Sequence, residues 1–390
     1  MRRIAKSAFL FFIKCLNIFW PKKKLIIFYS SPDLSDNALA YFQYIRKNHS
    51  QWQTAWIIEN IHYSRQVIMS EGLSDVTLVE LGSMRAIYYS LIAKVQVDTH
   101  GAGYKKFKMN RFPIIISLWH GSPIKKIGKD IGSYPVCEQD ILISGARYFE
   151  PFFRSALTSE NSRIISTGYP RNDWLTGGLE TKFELLKSDR PYVIWMPTYV
   201  VSKGSSLGKG GIFNDGEIRN GYISFLSMTD LHKVNHMLSK LGVDLLIKLH
   251  PYDILNSYDF SDTVDFEHVR IIKADDESMR GSRMYGMLRF SSGLITDYSS
   301  VIFDYIITGK PIGIDLEACS TYTREKYFDY DFSQLHSVPI SNINELINFC
   351  QYVISAESNR LCQSDSKYVT YTKTTFSESV YNEQMSYIND

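Results

Sequence analysis

Short apolar runs alternate with amphipathic stretches along most of the chain. The amphipathic stretches have helical spacing, as in Asn37–Lys47, Met84–Ala93, Asp230–Leu241 and Val301–Thr308. The apolar runs that predict strands are Leu25–Tyr29, Thr54–Ile58, Val76–Val79, Val95–Asp98, Ile114–Trp119, Ile141–Ser144, Tyr192–Met196, Leu245–Leu249, Arg270–Ile272, Leu294–Thr296 and Pro311–Ile314. Continuous apolar strands separated by helices predict an α/β protein whose parallel sheets are covered on both faces.

The length of the chain predicts two domains, because 390 residues exceed what one hydrophobic core usually supports. A polar stretch around Leu175–Arg190 separates the two series of strands. We therefore predict a Rossmann-like domain over residues 25–188 and a second over 189–390 that includes C-terminal helices. The two doubly wound halves would face each other across a cleft. The glycine-rich run Ser202–Gly221 predicts a mobile surface loop.

The first 24 residues carry seven basic side chains and no acidic one, whereas the rest of the chain is net acidic. In a helix, Arg3, Lys6, Ser7, Lys14 and Asn17 would lie opposite Phe9, Phe11, Phe12, Cys15, Leu16, Ile18 and Phe19. This predicts an amphipathic helix in a membrane interface, and hence a peripheral protein at the cytoplasmic face of the cell membrane. A signal peptide and a helix packed on its own domain are the alternatives. The acidic body offers no broad basic face for nucleic acid.

Composition and missing motifs narrow the classes of function. An apolar fraction of 44% is typical of a globular protein, and no run reaches the length of a membrane span. The five cysteines are scattered and form no C-x-x-C pair, which favours a reducing cytoplasm. The chain has no phosphate-binding G-x-x-x-x-G-K motif, no G-x-G-x-x-G, no G-x-S-x-G and no H-E-x-x-H. We therefore predict no cofactor and no metal-ligating residues, and dependence of the reaction on a divalent metal ion stays open.

Three polar clusters follow predicted strands, at the sheet edge where parallel α/β proteins bind ligands. They are Trp119–Lys126, Lys248–Pro251 and Thr296–Ser300. The first two place His120 and His250 at strand ends in different halves, where one imidazole could accept a proton and the other assist a phosphate. A single histidine at a strand end is more commonly structural, and it is the pair in two halves that favours a function. Another candidate is His100, which precedes a Gly-Ala-Gly segment.

The third cluster leads into a predicted helix, whose first backbone N–H groups and two serine hydroxyls could cradle a phosphate. Asp297 or Ser299 would also be an ordinary helix N-cap, and that structural interpretation stays open. Gly309 and Pro311 bound the helix at its other end.

Together these clusters resemble the CDP-glycerol glycerophosphotransferases, the family of teichoic acid primases and polymerases and related capsule enzymes. The segment 119–125 is similar to the family's W-H-G-T-P-x-K, and 168–173 matches its G-Y-P-R-N-D. Residues 248–251 resemble R-x-H-P, and 296–305 resemble T-D-Y-S-S-x-x-F-D-Y. Ser35-Asp36-Asn37 and Lys310-Pro311 resemble two further segments. The motifs occur in the family's order between Leu25 and Ile314.

The resemblance implies a GT-B fold and transfer of glycerol phosphate from CDP-glycerol to a hydroxyl of a lipid-linked saccharide or a growing polymer, with release of CMP. It implies His120 as the general base and His250 as a group that stabilises the donor's diphosphate. The donor-binding residues implied are Lys248, Thr198, Asp297, Ser299, Ser300 and Asp304. Those implied to bind the acceptor or to steer phosphate are Gly121, Ser122, Lys125 and Arg171, although Arg171 could instead pair with Asp173.

Several positions depart from the family pattern. Ser122 replaces threonine, Lys248 replaces arginine, and Val200 stands where an arginine is usual after Pro197-Thr198. Lys203 or Lys209 could supply the missing contact. These departures leave CDP-ribitol open as the donor. A GT-B glycosyltransferase that uses a nucleotide sugar and a non-catalytic scaffold remain as alternatives.

Overall fold

The computed structural model describes most of the chain in two α/β halves. The described residues are 11–13, 15, 17, 19–100, 113–132, 139–158, 161–183, 189–198, 222–250, 253, 255, 266–273, 276–320, 325–329, 335, 337–355 and 366–389. Each half has a parallel sheet with helices packed against it, so the predicted Rossmann-like α/β class is confirmed.

The first half contains a parallel sheet in the order β3-β2-β1-β4-β5-β6-β7. Its strands are β1 (Lys23–Tyr29), β2 (Gln53–Ile58), β3 (Thr77–Glu80), β4 (Ala93–Asp98), β5 (Ile114–Ser117), β6 (Ile141–Ile143) and β7 (Arg163–Ile165). Its helices are α1 (Asp36–Asn48), α2 (Ile61–Glu71), α3 (Met84–Ile92), α4 (Glu150–Leu157) and α5 (Asn172–Thr176). Strand β7 was not predicted, because it begins with Arg163 and contains only two apolar residues, Ile164 and Ile165.

The second half contains a parallel sheet in the order β12-β11-β8-β13-β14-β15 and a small hairpin. Its strands are β8 (Tyr192–Met196), β9 (Tyr222–Ile223), β10 (Leu226–Ser227), β11 (Asp244–Lys248), β12 (Val269–Ile272), β13 (Gly293–Thr296), β14 (Ile312–Asp315) and β15 (Ser337–Ile340). Its helices are α6 (Met228–Leu241), α7 (Arg283–Phe290), α8 (Val301–Tyr305), α9 (Leu316–Ser320), α10 (Ile343–Val353) and α11 (Phe376–Asn389). Strand β15 was not predicted, because Pro339 interrupts its pattern; the strand lies at the sheet edge, where proline is tolerated.

Local sequence explains where the helices begin and end. Helix α6 starts with a capping box in which Ser227 and Asp230 satisfy each other's backbone N–H groups. It ends at Gly242, whose φ of 66° is easily adopted only without a side chain. Helix α8 was predicted to reach Thr308 but ends at Tyr305, and a 3₁₀ turn over Ile306–Thr308 leads to Gly309.

Helix α11 follows the second sheet in the chain but packs against helices α1 and α5 of the first half. Its start is capped by the buried carboxylate of Asp173, which accepts hydrogen bonds from the backbone N–H groups of Phe376 (2.8 Å) and Ser377 (2.9 Å). Further along, Gln384 accepts a hydrogen bond of 3.0 Å from Tyr41. The predicted second domain, 189–390, therefore contains a helix that completes the packing of the first half.

The N-terminal segment is described only in part. Its described residues between 11 and 19 are helical, while residues 1–10, 14, 16 and 18 lie outside the described ranges. Asn17, which was expected on the polar side, is buried and accepts a hydrogen bond from Lys22. Lys22 also donates to the carbonyl of Leu91 in α3, so this segment docks on the first half. The predicted loop at 202–221 lies outside the described residues.

Candidate functional site

The carboxyl ends of strands from both sheets meet at one cavity of about 240 Å³. Strand β5 from the first half, and β8, β11 and β13 from the second, each lead directly into its wall. The lining residues are Trp119, His120, Gly121, Ser122, Pro123, Ile124, Lys125, Ile127, Met196, Pro197, Thr198, Lys248, His250, Tyr298, Ser299 and Ser300. The structure thus brings the three sequence clusters together, and nine of the twelve predicted site residues line this one cavity.

His120 follows β5, and its ring is oriented by the backbone of the neighbouring strand. Its Nδ1 lies 3.1 Å from the carbonyl oxygen of Thr99, which can only accept, so Nδ1 carries the proton and Nε2 keeps a lone pair. Burial in the cleft lowers the pKa of His120, and the neighbouring His100 lowers it further. A neutral imidazole with a free Nε2 lone pair is the form that a general base requires.

The backbone of the His120 loop is tied down by Asn37 and Arg171. The side chain of Asn37 donates to the carbonyls of Leu118 (3.3 Å) and Trp119 (2.9 Å). Arg171 donates to the carbonyl of His120 at 3.1 Å, and its own backbone N–H donates to Asn37. Two buried side chains therefore fix the position of the loop that carries the candidate base.

Arg171 and Asp304 pair with each other across the two halves and are absent from the set of residues that line the cavity. The guanidinium lies 2.6 Å from Asp304 and 2.6 Å from Asp36, and both Arg171 and Asp304 are buried. Asp304 also accepts a hydrogen bond from Tyr285 at 3.2 Å. The suggested pairing of Arg171 with Asp173 is not observed, since Asp173 caps α11. In this arrangement both charges are paired between protein groups, and the predicted roles of Arg171 in steering phosphate and of Asp304 in binding the donor stay predictions.

Asp297 lies behind the cavity wall and holds Thr198 in it. Its carboxylate accepts the backbone N–H of Thr198 at 2.6 Å and also the threonine hydroxyl. Asp297 is buried, and burial raises its pKa. Thr198 lines the cavity and Asp297 does not, and the predicted role of Asp297 in donor binding stays a prediction.

The second half contributes cationic and imidazole groups from the end of β11. Lys248 is buried, and burial lowers its pKa to about 8, so most of its ammonium charge is present at neutral pH and is lost as the pH rises through 8. Burial also lowers the pKa of His250, and the positive charges of Lys248 and Lys125 lower it further. His250 is therefore neutral near pH 7 and can donate its one ring N–H to a phosphate oxygen.

Ser299 and Ser300 stand at the start of α8, a helix of only five residues. The N-cap position is occupied by Ser300, not by Asp297 or Ser299 as the structural interpretation had it, and the Ser300 side chain makes no hydrogen bond to the helix. Gly121 from the first half approaches this point closely. A Cβ at Gly121 would lie 2.8 Å from the Ser300 hydroxyl oxygen, and its φ of +136° also favours glycine.

Ser122 and Lys125 complete the part of the wall that follows His120. Ser122 is buried beside Tyr169, so its hydroxyl faces protein on one side of the cavity wall. Lys125 lies close enough to lower the pKa of both His250 and Asp297, so its ammonium faces the second half. Its backbone pairs with Lys326 in an isolated antiparallel bridge.

Sequence reasoning assigned no role at the site to four residues around the His120 loop: Asp36, Asn37, Thr99 and Tyr298. Asp36 and Asn37 belong to the S-D-N segment that resembled the family, and this was the signal available for them. Thr99 acts through a backbone carbonyl, which no side-chain pattern reveals. Among the described ranges, no cluster of three or more His, Cys, Asp or Glu side chains could hold a metal ion. None of the described helices has both the length and the apolar character needed to cross a membrane.

The family model for CDP-glycerol:poly(glycerophosphate) glycerophosphotransferases matches residues 11–384. The chain belongs to this family. It is 25% identical to the teichoic acid glycerol-phosphate transferase of Staphylococcus aureus, with 80% of this chain and 79% of that protein covered. It is 28% identical to a teichoic acid poly(glycerol phosphate) polymerase of Bacillus spizizenii, covering 79% and 78% of the two chains.

Solved structures agree on the fold of this glycerophosphotransferase. The wall teichoic acid polymerase TagF superposes with a TM-score of 0.64 at 21% identity, covering 99% of this chain and 96% of that one. The Staphylococcus aureus MnaA–UDP structure gives a TM-score of 0.52 at 10% identity, covering 94% and 96%. The prediction of an enzyme of the CDP-glycerol glycerophosphotransferase family is confirmed, while the roles of individual residues remain predictions.

Proposed function

We propose that this glycerophosphotransferase transfers glycerol phosphate from CDP-glycerol to a hydroxyl of a lipid-linked saccharide or growing teichoic-acid polymer and releases CMP. One observation carries the proposal: a neutral imidazole, His120, faces the cationic and hydroxyl groups of the second half across one cavity. The family match supports the donor, and a TagF structure was obtained from crystals soaked with CDPG. The reaction needs no cofactor in this scheme, because CDP-glycerol is a substrate.

The transfer step forms one bond to phosphorus and breaks one, and the groups in the cavity can accept the proton that is released. The acceptor oxygen forms a bond to the phosphorus that carries glycerol, while the bond from that phosphorus to the bridging oxygen of CMP breaks. The acceptor proton passes to Nε2 of His120 and later to solvent. Lys248, His250 and the serines of the α8 start would hold the diphosphate and stabilise the negative charge that develops on CMP. Lys125 would add positive charge from the opposite wall.

We place the two halves in a GT-B-type arrangement, with the acceptor bound mainly by the first half and the donor mainly by the second. The support is that strand ends of both sheets line the same cavity, and that the fold is similar to TagF over nearly the whole chain. The base belongs to the first half, while the buried lysine and the α8 serines belong to the second.

A cytidine-specific ligand screen tests the donor. Purified protein is mixed at equal ligand concentration with CDP-glycerol, CDP-ribitol, CMP, UDP-sugars and GDP-sugars, and thermal unfolding is recorded. A ligand at about 100 times its dissociation constant adds roughly 2.7 kcal/mol to the free energy of unfolding. Stabilisation by cytidine ligands and acceptor-dependent release of CMP are expected. Stabilisation only by a UDP- or GDP-sugar would instead identify a glycosyltransferase, and binding without turnover would identify a scaffold.

CDP-ribitol is the second candidate donor, for one specific reason. The teichoic acid ribitol-phosphate primase of Bacillus spizizenii is 23% identical over 97% of this chain and 96% of its own length. The two CDP-polyols differ only in the length of the polyol, so competition between them at equal concentration in the CMP-release assay decides which one the site prefers.

The membrane interface is the proposed location of this enzyme, at the cytoplasmic face. Phe11, Phe12 and Phe19 are exposed, with Phe19 84% accessible. Trp20 packs edge-on against Tyr88 of α3, with ring centroids 6.3 Å apart, so the aromatic surface continues onto that helix. The exposed basic side chains that flank this surface are Lys23, Lys24 and Arg85. Aromatic rings beside lysine and arginine suit a layer of anionic lipid headgroups.

Sedimentation with lipid vesicles tests the location. Removal of residues 1–24 is expected to abolish or strongly weaken binding to vesicles that contain phosphatidylglycerol, while donor binding is retained. Met69→Ser is the matched control, because Met69 is an 80% exposed apolar residue on α2, away from the described aromatic surface. Equal sedimentation of the full and truncated chains would contradict the proposal.

A further inference from the structure

A second histidine, His100, lies directly against the candidate base. The rings of His100 and His120 are stacked, with centroids 4.3 Å apart and planes inclined by only 5°. His100 follows β4 and His120 follows β5, and these two strands are neighbours in the sheet. The adjacent carboxyl ends of two parallel strands therefore bring the two imidazoles together. His100 lies outside the motifs that carry the family resemblance.

Thr99 contacts the Nδ1 atom of both His100 and His120. Its carbonyl oxygen accepts a hydrogen bond from Nδ1 of His120 at 3.1 Å. Its hydroxyl lies 2.8 Å from Nδ1 of His100. Because the Nδ1 atoms of both rings contact the same residue, Thr99 fixes the orientation of both ring planes. A displacement of one ring would therefore shift the other.

Desolvation is the main reason that the two imidazoles stay neutral. Desolvation lowers the pKa of His100 and of His120, and Arg171 lowers both, whereas Asp36 raises both. His100 also lowers the pKa of His120 directly. Two imidazoles at this distance titrate as a pair, and the pair resists taking a second proton.

We propose that His100 is a positioning residue for the transfer step: its stacked ring holds the imidazole of His120 in the plane that points Nε2 at the acceptor hydroxyl. The inference rests on the proposed role of His120 as the base. The proton still moves from the acceptor hydroxyl to Nε2 of His120, and no group beyond acceptor, donor and His120 is required. His100 itself forms and breaks no bond.

Two substitutions separate stacking from charge. His100→Ala removes the stacked ring and is expected to lower kcat about tenfold or more with the donor KM unchanged, because misplacing a catalytic group is costly. His100→Phe restores a flat ring without a titratable nitrogen, and we expect it to recover most of kcat. In His100→Phe the acid limb of the profile of kcat/KM against pH should move to higher pH, because a group that lowers the pKa of His120 is gone.

His49→Ala is the matched control for losing a stacked imidazole. His49 stacks on Tyr381 with ring centroids 3.6 Å apart, far along the chain from the cavity-lining residues. This variant is expected to keep the wild-type kcat and pH profile. A fall in kcat equal to that of His100→Ala would overturn the positioning role, since it would show that loss of any such stack lowers activity through stability.

A measurement without substrate distinguishes this inference from the proposed function. Nitrogen-15 NMR of the histidine rings reports the tautomer and pKa of His120 in the full chain. We expect the Nδ1–H tautomer in the wild type and a higher pKa of His120 in His100→Phe. Full kcat in His100→Ala, or no recovery of kcat in His100→Phe, would refute the inference. Failure of the wild type to turn over any CDP-polyol would refute the function while leaving the ring measurement valid.

Discussion

The two walls of the cavity are built on different physical principles. On the wall from the first half, His120 is neutral and held by hydrogen bonds to its ring and its backbone from Thr99, Asn37 and Arg171. On the wall from the second half, a buried lysine, a neutral histidine and serine hydroxyls are gathered. One wall is specialised in fixing the geometry of a single ring, and the other in supplying charge and hydrogen bonds to an anion. The difference indicates where each substrate binds in the proposed reaction.

Replacement of the histidine in either wall, His120 or His250, is expected to have the largest effect on kcat. His120→Ala should lower kcat by about 10²–10⁴-fold, the usual contribution of a general base, while affinity for CDP-glycerol stays close to that of the wild type. His250→Ala should weaken donor binding as well as kcat, because it removes a phosphate contact. Calorimetric titration with donor, combined with CMP-release kinetics, measures both. Full activity in either variant would remove that histidine from the mechanism.

The point where the walls touch should give the next largest effect. In Gly121→Ala the new methyl group would lie 2.8 Å from the Ser300 hydroxyl and 3.0 Å from the guanidinium of Arg171. We expect kcat to fall about tenfold, because sub-ångström displacement of the His120 loop misaligns the base. Gly82→Ala is the control: Gly82 also has a positive φ, 84°, but a methyl group there would meet no atom within 4 Å. If both variants lose activity equally, backbone strain rather than contact between the walls is the cause.

The smallest expected effect is a change in pH dependence at Lys248. Its pKa, about 8, is below the ordinary value for lysine, so the ammonium loses its proton as pH rises through 8. Affinity for the anionic donor should therefore weaken above pH 8, by up to about tenfold per pH unit, because a proton must then be taken up on binding. Lys248→Arg keeps its charge over this range, and the fall in affinity should disappear. A fall of equal slope in both proteins would place the titrating group elsewhere.

The fold was largely predictable because buried parallel strands show as apolar runs. Strand β8 was predicted with its observed bounds, Tyr192–Met196, and the clusters at strand ends were correctly expected to converge. Contacts made by backbone atoms, such as the Thr99 carbonyl, and pairings across the two halves, such as Arg171 with Asp304, were not predictable. These contacts depend on the position of the two halves relative to each other. The spacing of residues along the sequence does not show that position.

The packing of α11 has a consequence for the order in which the chain can fold. Gln384 bonds to Tyr41, Tyr381 accepts a hydrogen bond of 3.3 Å from Trp52, and Asp173 caps the start of the helix. These partners belong to the part of the chain that is synthesised first, whereas α11 is synthesised after the whole second sheet. During translation, the faces of α1 and α5 that pack against α11 therefore stay uncovered until α11 has been synthesised. The first half, which carries the candidate base, therefore completes its packing last, although its sheet is synthesised before the second sheet.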